Sequence, residues 1–270
     1  MKRQESVLDR IKETPDERES MMTHDTENTA VYKLREARSV TVITGAGVSA
    51  ESGIPTFRGP DGTWSNAKIE DVATPEGFQR NPQMVWEWYL RRRNEYAGAQ
   101  PNPAHDVIAA MEQHYPEFLL VTQNIDTLHT RAGNRKVLEI HGNINQARCL
   151  RCDTVFENPH FTLPENSITC PKCHAPARPH ILWFGEMYDP AQLEQINHFL
   201  AATDVVLVVG TSGVVTTPVY FALYAKQHGA YVIEVNPNVS EVSKDAHCHL
   251  RQNAGVALPQ LWQAVMAEEQ

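Results

Sequence analysis

Two cysteine pairs have the spacing of a metal site. The chain contains two Cys-x-x-Cys pairs with 17 residues between them, and their members are Cys149, Cys152, Cys170 and Cys173. Four thiolates at this spacing are typical of a zinc ribbon, in which they close a tetrahedron around one Zn²⁺. The alternative is two unrelated thiol pairs. Because four thiolates leave no open position for water, we predict a structural ion, and we predict that the fifth cysteine, Cys248, is an inert thiol.

A glycine-rich run offers a second kind of chemistry. Residues 45–50 read Gly-Ala-Gly-Val-Ser-Ala and fit the G-x-G-x-x-(G/A) pattern of a dinucleotide pyrophosphate site. Glycines let the backbone approach the phosphates, and a helix N-terminus stabilises their charge. A tight strand-to-helix turn without a ligand is the alternative. The acidic residue expected about 20 positions on in a dehydrogenase is replaced by a loop with Phe57 and Arg58, so hydride transfer is not expected.

Short apolar runs predict the strands that position these residues. Each run is nearly all apolar and β-branched, as in parallel strands covered on both faces. The runs are residues 40–43, 118–121, 205–209 and 231–235, and the helical stretches between them include 103–114, 190–202 and 218–228. This alternation predicts an α/β fold with a Rossmann-like parallel sheet.

Each predicted strand runs into a polar segment. These segments are residues 44–47, 122–124, 210–212 and 236–238. In open α/β sheets, ligands bind at the carboxyl ends of the strands. The four polar strand ends therefore predict one shared site.

Two segments interrupt the alternation. Residues from about 65 to 100 form a predicted helical insertion, and 146–177 form a predicted small zinc-binding module. The Rossmann-like dinucleotide-binding domain then comprises 30–145 and 178–270. Residues 1–29 are expected to be a polar extension, disordered or loosely docked, because they offer few apolar groups to bury.

The composition excludes several classes of function. The chain of 270 residues has 33 acidic and 24 basic residues and a net charge of −9, which argues against non-specific nucleic-acid binding. Its apolar runs are too short to cross a membrane. We expect no secretory signal, reduced thiols and therefore a cytoplasmic protein, and we expect a monomer.

The ordered set of motifs resembles the sirtuins, which are NAD-dependent protein-lysine deacylases. The resemblance covers roughly residues 35–262 and rests on motifs in one order: 45–58, 122–129, His141-Gly142, the paired Cys-x-x-Cys, 183–186 and 210–212. It implies NAD as co-substrate, a structural zinc and acyl-lysine proteins as substrates.

The resemblance also implies a mechanism. The acyl-lysine carbonyl oxygen attacks the ribose of NAD as nicotinamide leaves, and His141 is the general base for a ribose hydroxyl. Free lysine, nicotinamide and O-acyl-ADP-ribose are the implied products. For a lone histidine, a place in the core is the alternative. The implied NAD-binding residues are Gly45, Ala46, Gly47, Ser49, Phe57, Arg58, Gln123, Asn124, Ile125, Asp126, Gly210, Thr211, Ser212, Asn236, Pro237, Asn238 and Ala254.

Tyr89 and Arg92 are the residues that bear on the acyl group. They lie three apart and hence on one helix face, where the alternative is a solvated basic helix. They match the Tyr-x-x-Arg pair of class III sirtuins, which accept succinyl, malonyl or glutaryl lysine, and Thr56 also fits this class. A guanidinium binds a carboxylate bidentately while a phenol donates a further bond. We therefore predict a bacterial-type desuccinylase that also removes acetyl groups.

The resemblance places the substrate peptide as an added strand. The implied peptide-binding residues are Trp183, Phe184, Gly185, Glu186 and Val214. Main-chain pairing at an unpaired edge tolerates many sequences. Two other functions remain open at this point: mono-ADP-ribosyl transfer to a protein from the same NAD site, and a zinc-stabilised NAD sensor without catalysis.

Overall fold

The computed structural model describes residues 15–56, 68–165 and 167–267. Its strands are β1 (Ser39–Thr44), β2 (Glu117–Thr122), β3 (Val137–Glu139), β4 (Gly142–Cys149), β5 (Val155–Glu157), β6 (Ala177–Ile181), β7 (Val205–Val209), β8 (Tyr231–Val235) and β9 (Cys248–Leu250). Its helices are α1 (Pro15–Glu36), α2 (Ile69–Val72), α3 (Pro75–Arg80), α4 (Pro82–Ala97), α5 (Pro103–His114), α6 (Leu128–Ala132), α7 (Pro190–Leu200), α8 (Thr216–Gln227), α9 (Ala254–Met266) and a 3-10 helix (Ala46–Ser52). Among these described helices, none has the length and apolarity needed to cross a membrane.

Among the described residues, six parallel strands form the main sheet, in the order β3-β2-β1-β7-β8-β9. Alternate side chains enter two different cores. Val42 and Leu207 pack in the layer of α1, α5 and α9, whereas Ile43 and Val208 pack against α7 and α8. Because both faces are covered, the strands are continuous apolar runs. The predicted α/β fold with a Rossmann-like parallel sheet is confirmed.

The strand order reverses between β1 and β7. From β1 the chain builds β2 and β3 on one side, and later β7, β8 and β9 on the other. Such a reversal opens a crevice at the carboxyl ends of the two central strands. The register pairs Thr44 with Val209. The glycines that follow, Gly45 and Gly210, therefore start from adjacent positions.

The two edge strands and the first helix differ from the sequence-based expectation. Each edge strand, β3 and β9, has only 3 residues, too few for a periodic pattern. Residues 15–29, expected to be disordered or loosely docked, lie in α1. Ala30 and Leu34 anchor that helix in the core, and the Arg35 guanidinium donates to three carbonyl oxygens at the end of α9. Residues 1–14 lie outside the described residues.

A second core joins the helical insertion to the small antiparallel sheet, whose order is β5-β4-β6. Trp86 of α4 packs there with Ile144 of β4 and Ala177 of β6. The Trp86 indole N–H also donates to the Ala177 carbonyl, at 3.0 Å. The helices α2 to α4 are thus held against the cysteine-bearing sheet by both apolar contact and a buried hydrogen bond.

Candidate functional site

The two glycine turns at the strand reversal touch each other. The Gly47 N–H donates to the Gly210 carbonyl at 2.8 Å, and the Gly45 N–H donates to the Val209 carbonyl at 3.0 Å. A Cβ atom on Gly47 would lie 2.7 Å from the Gly210 Cα, and Gly210 has a φ of +62°. A side chain at either glycine is therefore excluded, and bare backbone borders the crevice.

A cavity of about 650 Å³ opens beside these turns, and it brings most of the predicted site residues together. The predicted residues that line it are Gly45, Ala46, Gly47, Tyr89, Arg92, Gln123, Ile125, His141, Trp183, Phe184, Gly185, Glu186, Gly210, Thr211, Ser212, Val214, Asn236, Pro237, Asn238 and Ala254. Ser49, Asn124 and Asp126 are buried nearby. Phe57 and Arg58 lie outside the described residues. The volume is in the range of small-molecule sites.

Ser49 links the two polar residues that follow β2. Its hydroxyl donates to Asp126 Oδ2 at 2.8 Å and accepts from Asn124 Nδ2 at 3.1 Å. The Leu128 N–H donates to the other Asp126 oxygen at 2.9 Å. Burial raises the pKa of the Asp126 carboxyl, although these hydrogen bonds oppose it. Asn124 Oδ1 is buried without a hydrogen-bond partner among the described residues, so it is an acceptor available to a ligand.

His141 follows β3 and directly precedes β4. Its Nδ1 lies 3.1 Å from the Gln123 carbonyl oxygen, which can only accept, so Nδ1 carries the proton. Burial lowers the pKa of His141 to about 4, although the bond to Gln123 opposes this. The ring is therefore neutral at pH 7, and Nε2 is a proton acceptor. The next residue must be glycine, because Gly142 has a φ of +85° and its Cβ would lie 2.0 Å from the His180 carbonyl oxygen.

The Tyr89 and Arg92 side chains point into the protein rather than into solvent. Both are buried, whereas the neighbouring Arg91 is exposed. The Arg92 guanidinium stacks 4.7 Å over the Trp88 ring and donates from Nη2 to the Tyr96 hydroxyl at 2.6 Å. A solvated helix face does not describe this geometry. Arg92 instead lies in an aromatic enclosure at the cavity wall.

Tyr89 is oriented by a tryptophan of the predicted peptide-binding segment. The Trp183 indole N–H donates to the Tyr89 hydroxyl at 2.9 Å. Burial raises the pKa of Tyr89, so the phenol keeps its own proton. Because the oxygen accepts from Trp183, that proton stays available for donation to another acceptor, and Tyr89 lines the cavity.

The predicted peptide-binding segment is held by an arginine that sequence patterns do not indicate. Arg178 of β6 donates from Nη2 to Glu186 at 2.8 Å, and its guanidinium lies 3.5 Å from the centre of the Trp183 ring. Glu186 also accepts from the Trp183 N–H. Phe184 and Val214 are about half exposed at the cavity rim. The Glu186 carboxylate thus stabilises the segment from within, while the apolar side chains of Phe184 and Val214 lie at the opening of the cavity.

The four paired cysteines converge in space. Their Sγ atoms all lie within 4.8 Å of one another, and separations of 3.4 and 3.7 Å link the two pairs. Sulfurs on one tetrahedral zinc, each about 2.3 Å from the ion, stand about 3.8 Å apart. The set is therefore positioned to bind one structural zinc ion. The remaining thiol, Cys248, is buried on β9, and burial raises its pKa to about 11, which suits an unreactive cysteine.

Comparison with known proteins places this site in a family. The Sir2 family profile matches residues 45–217. This chain belongs to the Sir2 family. The "NAD-dependent protein deacylase" of Leptospira interrogans is 44% identical over 85% of this chain and 94% of its own length. The protein of the same name from Aquifex aeolicus is 45% identical over 84% and 95%.

A solved structure shares the Sir2 fold. The crystal structure of a Sir2 homologue with NAD has a TM-score of 0.80 and 39% sequence identity, covering 88% of this chain and 93% of that one. The fold of this chain is thus that of a Sir2 protein. The resemblance inferred from the ordered motifs is confirmed.

Three side chains of this Sir2 protein support predicted site residues but belong to no motif. Tyr96 contacts Arg92, Arg178 pairs with the predicted peptide-binding glutamate, and Tyr188 contacts His141. Only Tyr96 leaves a signal in the sequence, because it lies four positions after Arg92 and so on the same helix face.

Two further histidines of the Sir2 core are buried behind the site. Thr44 Oγ1 donates to Thr122, so His129 Nε2 donates to Thr44, at 3.0 Å. The rings of His105 and His129 lie 4.8 Å apart. Burial lowers the pKa of His105 to about 4 and the pKa of His129 well below its ordinary value. Both rings are neutral in the folded protein.

We therefore expect protonation of these histidines in the unfolded chain to destabilise the fold as the pH falls. The unfolded chain binds protons at these histidines as the pH falls through about 6.5, whereas in the folded chain His105 does not bind one until about pH 4 and the pKa of His129 is also well below its ordinary value. The contribution of the neutral histidines to the free energy of unfolding is fully present above that pH window and is lost as the pH falls through it. His105 alone contributes about 2 kcal/mol to the fall in unfolding free energy between pH 7 and pH 5. Urea unfolding of wild type and His105→Gln at both pH values measures this share, and an equal pH dependence in the two proteins would contradict it.

Proposed function

We propose that this chain is an NAD-dependent protein-lysine deacylase that removes succinyl and acetyl groups, and also malonyl and glutaryl groups. The names of the curated relatives support the general activity. One observation carries the acyl preference. A buried arginine and a buried tyrosine, Arg92 and Tyr89, line the same cavity as the candidate base His141.

The residues at the strand reversal fit NAD. When bound, NAD supplies a ribose carbon that becomes electrophilic as nicotinamide leaves. The bare backbone at Gly47 and Gly210 suits close approach to a pyrophosphate. The unpartnered Asn124 Oδ1 suits the N–H donors of a carboxamide, and Asp126 is held beside it through Ser49. Thr211 and Asn236 line the same cavity; Thr211 is proposed to contact phosphate and ribose, and Asn236 to border the adenosine end.

His141 is proposed to accept a proton from a ribose hydroxyl. The donated Nδ1–H to the Gln123 carbonyl holds the tautomer with its lone pair on Nε2. Burial keeps the ring unprotonated at neutral pH. A neutral imidazole with one anchored nitrogen is the arrangement that general-base catalysis requires.

The acyl pocket combines a positive charge with an aromatic wall. Arg92 supplies N–H donors to the terminal carboxylate of a succinyl group, and the Tyr89 hydroxyl donates a further bond. The surrounding Trp88 and Trp183 rings limit water, which strengthens both interactions. An acetyl group lacks the carboxylate and leaves this end of the pocket unfilled. Both acyl classes are therefore substrates, and succinyl-lysine gains the additional binding.

The peptide is proposed to bind along residues 183–186 and the loop at Val214. The half-exposed Phe184 and Val214 flank the cavity mouth, where an acyl-lysine side chain has to enter. Pairing through main-chain groups gives broad sequence tolerance.

A paired assay by mass spectrometry tests the proposal. Two otherwise identical peptides carry acetyl-lysine or succinyl-lysine, each with and without NAD. We expect NAD-dependent loss of both groups, with O-succinyl-ADP-ribose formed from the second peptide. Loss of acetyl alone would overturn the proposed acyl preference. Loss of neither group, with label transferred from NAD to protein, would favour mono-ADP-ribosyl transfer instead.

A further inference from the structure

Tyr188 contacts the nitrogen that His141 needs for catalysis. It lies on the segment between β6 and α7, and its half-buried ring lines the same cavity. Its hydroxyl lies 3.1 Å from His141 Nε2, and the two ring centroids are 5.8 Å apart. Nothing in the ordered motifs indicates this contact.

The direction of this hydrogen bond follows from the other ring nitrogen. Nδ1 of His141 carries its proton toward the Gln123 carbonyl, so Nε2 presents a lone pair. The Tyr188 O–H is therefore the donor. Burial raises the pKa of Tyr188 and lowers the pKa of His141, which keeps the proton on the phenol.

We propose that Tyr188 occupies the proton-accepting nitrogen of His141 in the resting enzyme and must release it before His141 acts as a base. This inference rests on the proposed function. Nε2 has one lone pair in the plane of the ring, so the phenol and a ribose hydroxyl compete for it. In the catalytic step the ribose O–H bond breaks, the proton forms an N–H bond at Nε2, and the electron pair stays on the ribose oxygen. Tyr188 acts as a positioning residue, because no atom of it enters this exchange.

The structure provides a way to release the nitrogen. Thr217, on the first turn of α8, lines the same cavity as Tyr188 and lowers the pKa of its phenol, against the effect of burial. A hydroxyl has one proton and two acceptor lone pairs, so rotation about the C–O bond turns the proton away from His141 Nε2. The ring does not have to move.

Tyr188→Phe removes the competing donor and keeps the ring. Two measured rates distinguish the reaction step that Tyr188 affects from the step that it does not affect. Exchange of labelled nicotinamide into NAD, in the presence of acyl peptide, reports the first step, which needs no proton acceptor. Deacylation reports the later step, which needs a free Nε2. We expect exchange to stay unchanged and the ratio of deacylation to exchange to rise about two- to tenfold, the range for loss of one hydrogen bond.

Tyr220→Phe is the matched control, because it removes a half-exposed hydroxyl from α8 outside the cavity. It should leave both rates unchanged. A ratio that falls in Tyr188→Phe would mean that the phenol relays the proton, and an unchanged ratio would mean that the bond has no part in turnover. Either result overturns the inference while leaving the deacylase in place. Absence of both exchange and deacylation in the wild type would overturn the proposed function itself.

Discussion

Arg92→Met is expected to lower kcat/KM for succinyl-lysine by about 30- to 1,000-fold and to change kcat/KM for acetyl-lysine by less than about threefold. The loss follows from leaving a carboxylate without its cation inside an aromatic enclosure, which costs about 2–4 kcal/mol. Methionine keeps apolar bulk against Trp88, so the enclosure does not collapse. The measurement is a full kinetic comparison of the two acyl peptides, with most of the change expected in KM.

Arg91→Met is the control for this substitution. Arg91 carries the same charge on the same helix but is exposed. It should leave the ratio of the two acyl activities unchanged. Equal losses on succinyl and acetyl peptides in Arg92→Met would show that Arg92 supports the fold of α4 and not the choice of acyl group.

His141→Gln is expected to lower kcat for both acyl substrates by about 10²- to 10⁴-fold, the usual effect of removing a general base. The glutamine amide can still donate to the Gln123 carbonyl, so the local backbone keeps its partner. Because nicotinamide release precedes the need for a base, exchange of labelled nicotinamide should persist. Both rates are measured on the same preparation.

His198→Gln on the exposed face of α7 is the matched control for that experiment, and it should retain full activity. A His141→Gln protein that deacylates at close to the wild-type rate would assign the base to another residue. A protein that loses exchange and deacylation together would instead indicate a role for His141 in binding.

The core and the site were predictable to different degrees. The central strands were evident because strands covered on both faces are continuous apolar runs, as in Val205–Val209 of β7. The location of the site was predictable because the carboxyl ends of the strands converge. This convergence brings Gly45 beside Gly210, although the two are far apart in the sequence. The roles assigned to individual residues of the site stay predictions, and those for Phe57 and Arg58 fall outside the described residues.

Contacts made by single side chains were not predictable. Tyr188 lies on an irregular segment, so no periodicity shows that its hydroxyl reaches His141. The burial of Arg92 was also not predictable, because a run of three adjacent arginines is typical of a solvent-exposed helix. The helical start of α1 was missed for a related reason: its polar composition obscures the few residues, Ala30 and Leu34, that anchor it.

The reversal of strand order also determines when the strands can pair during synthesis of the chain. Val40 of β1 pairs with Val205 of β7, so one edge of β1 stays unpaired until β7 has been synthesised. At about 5–20 residues per second, a ribosome delivers β7 roughly 8–30 s after β1. The cysteine pairs emerge earlier and close over a short stretch. Until β7 arrives, an apolar strand edge is open to pairing with other chains, and this interval is when a nascent Sir2 chain most needs protection from aggregation.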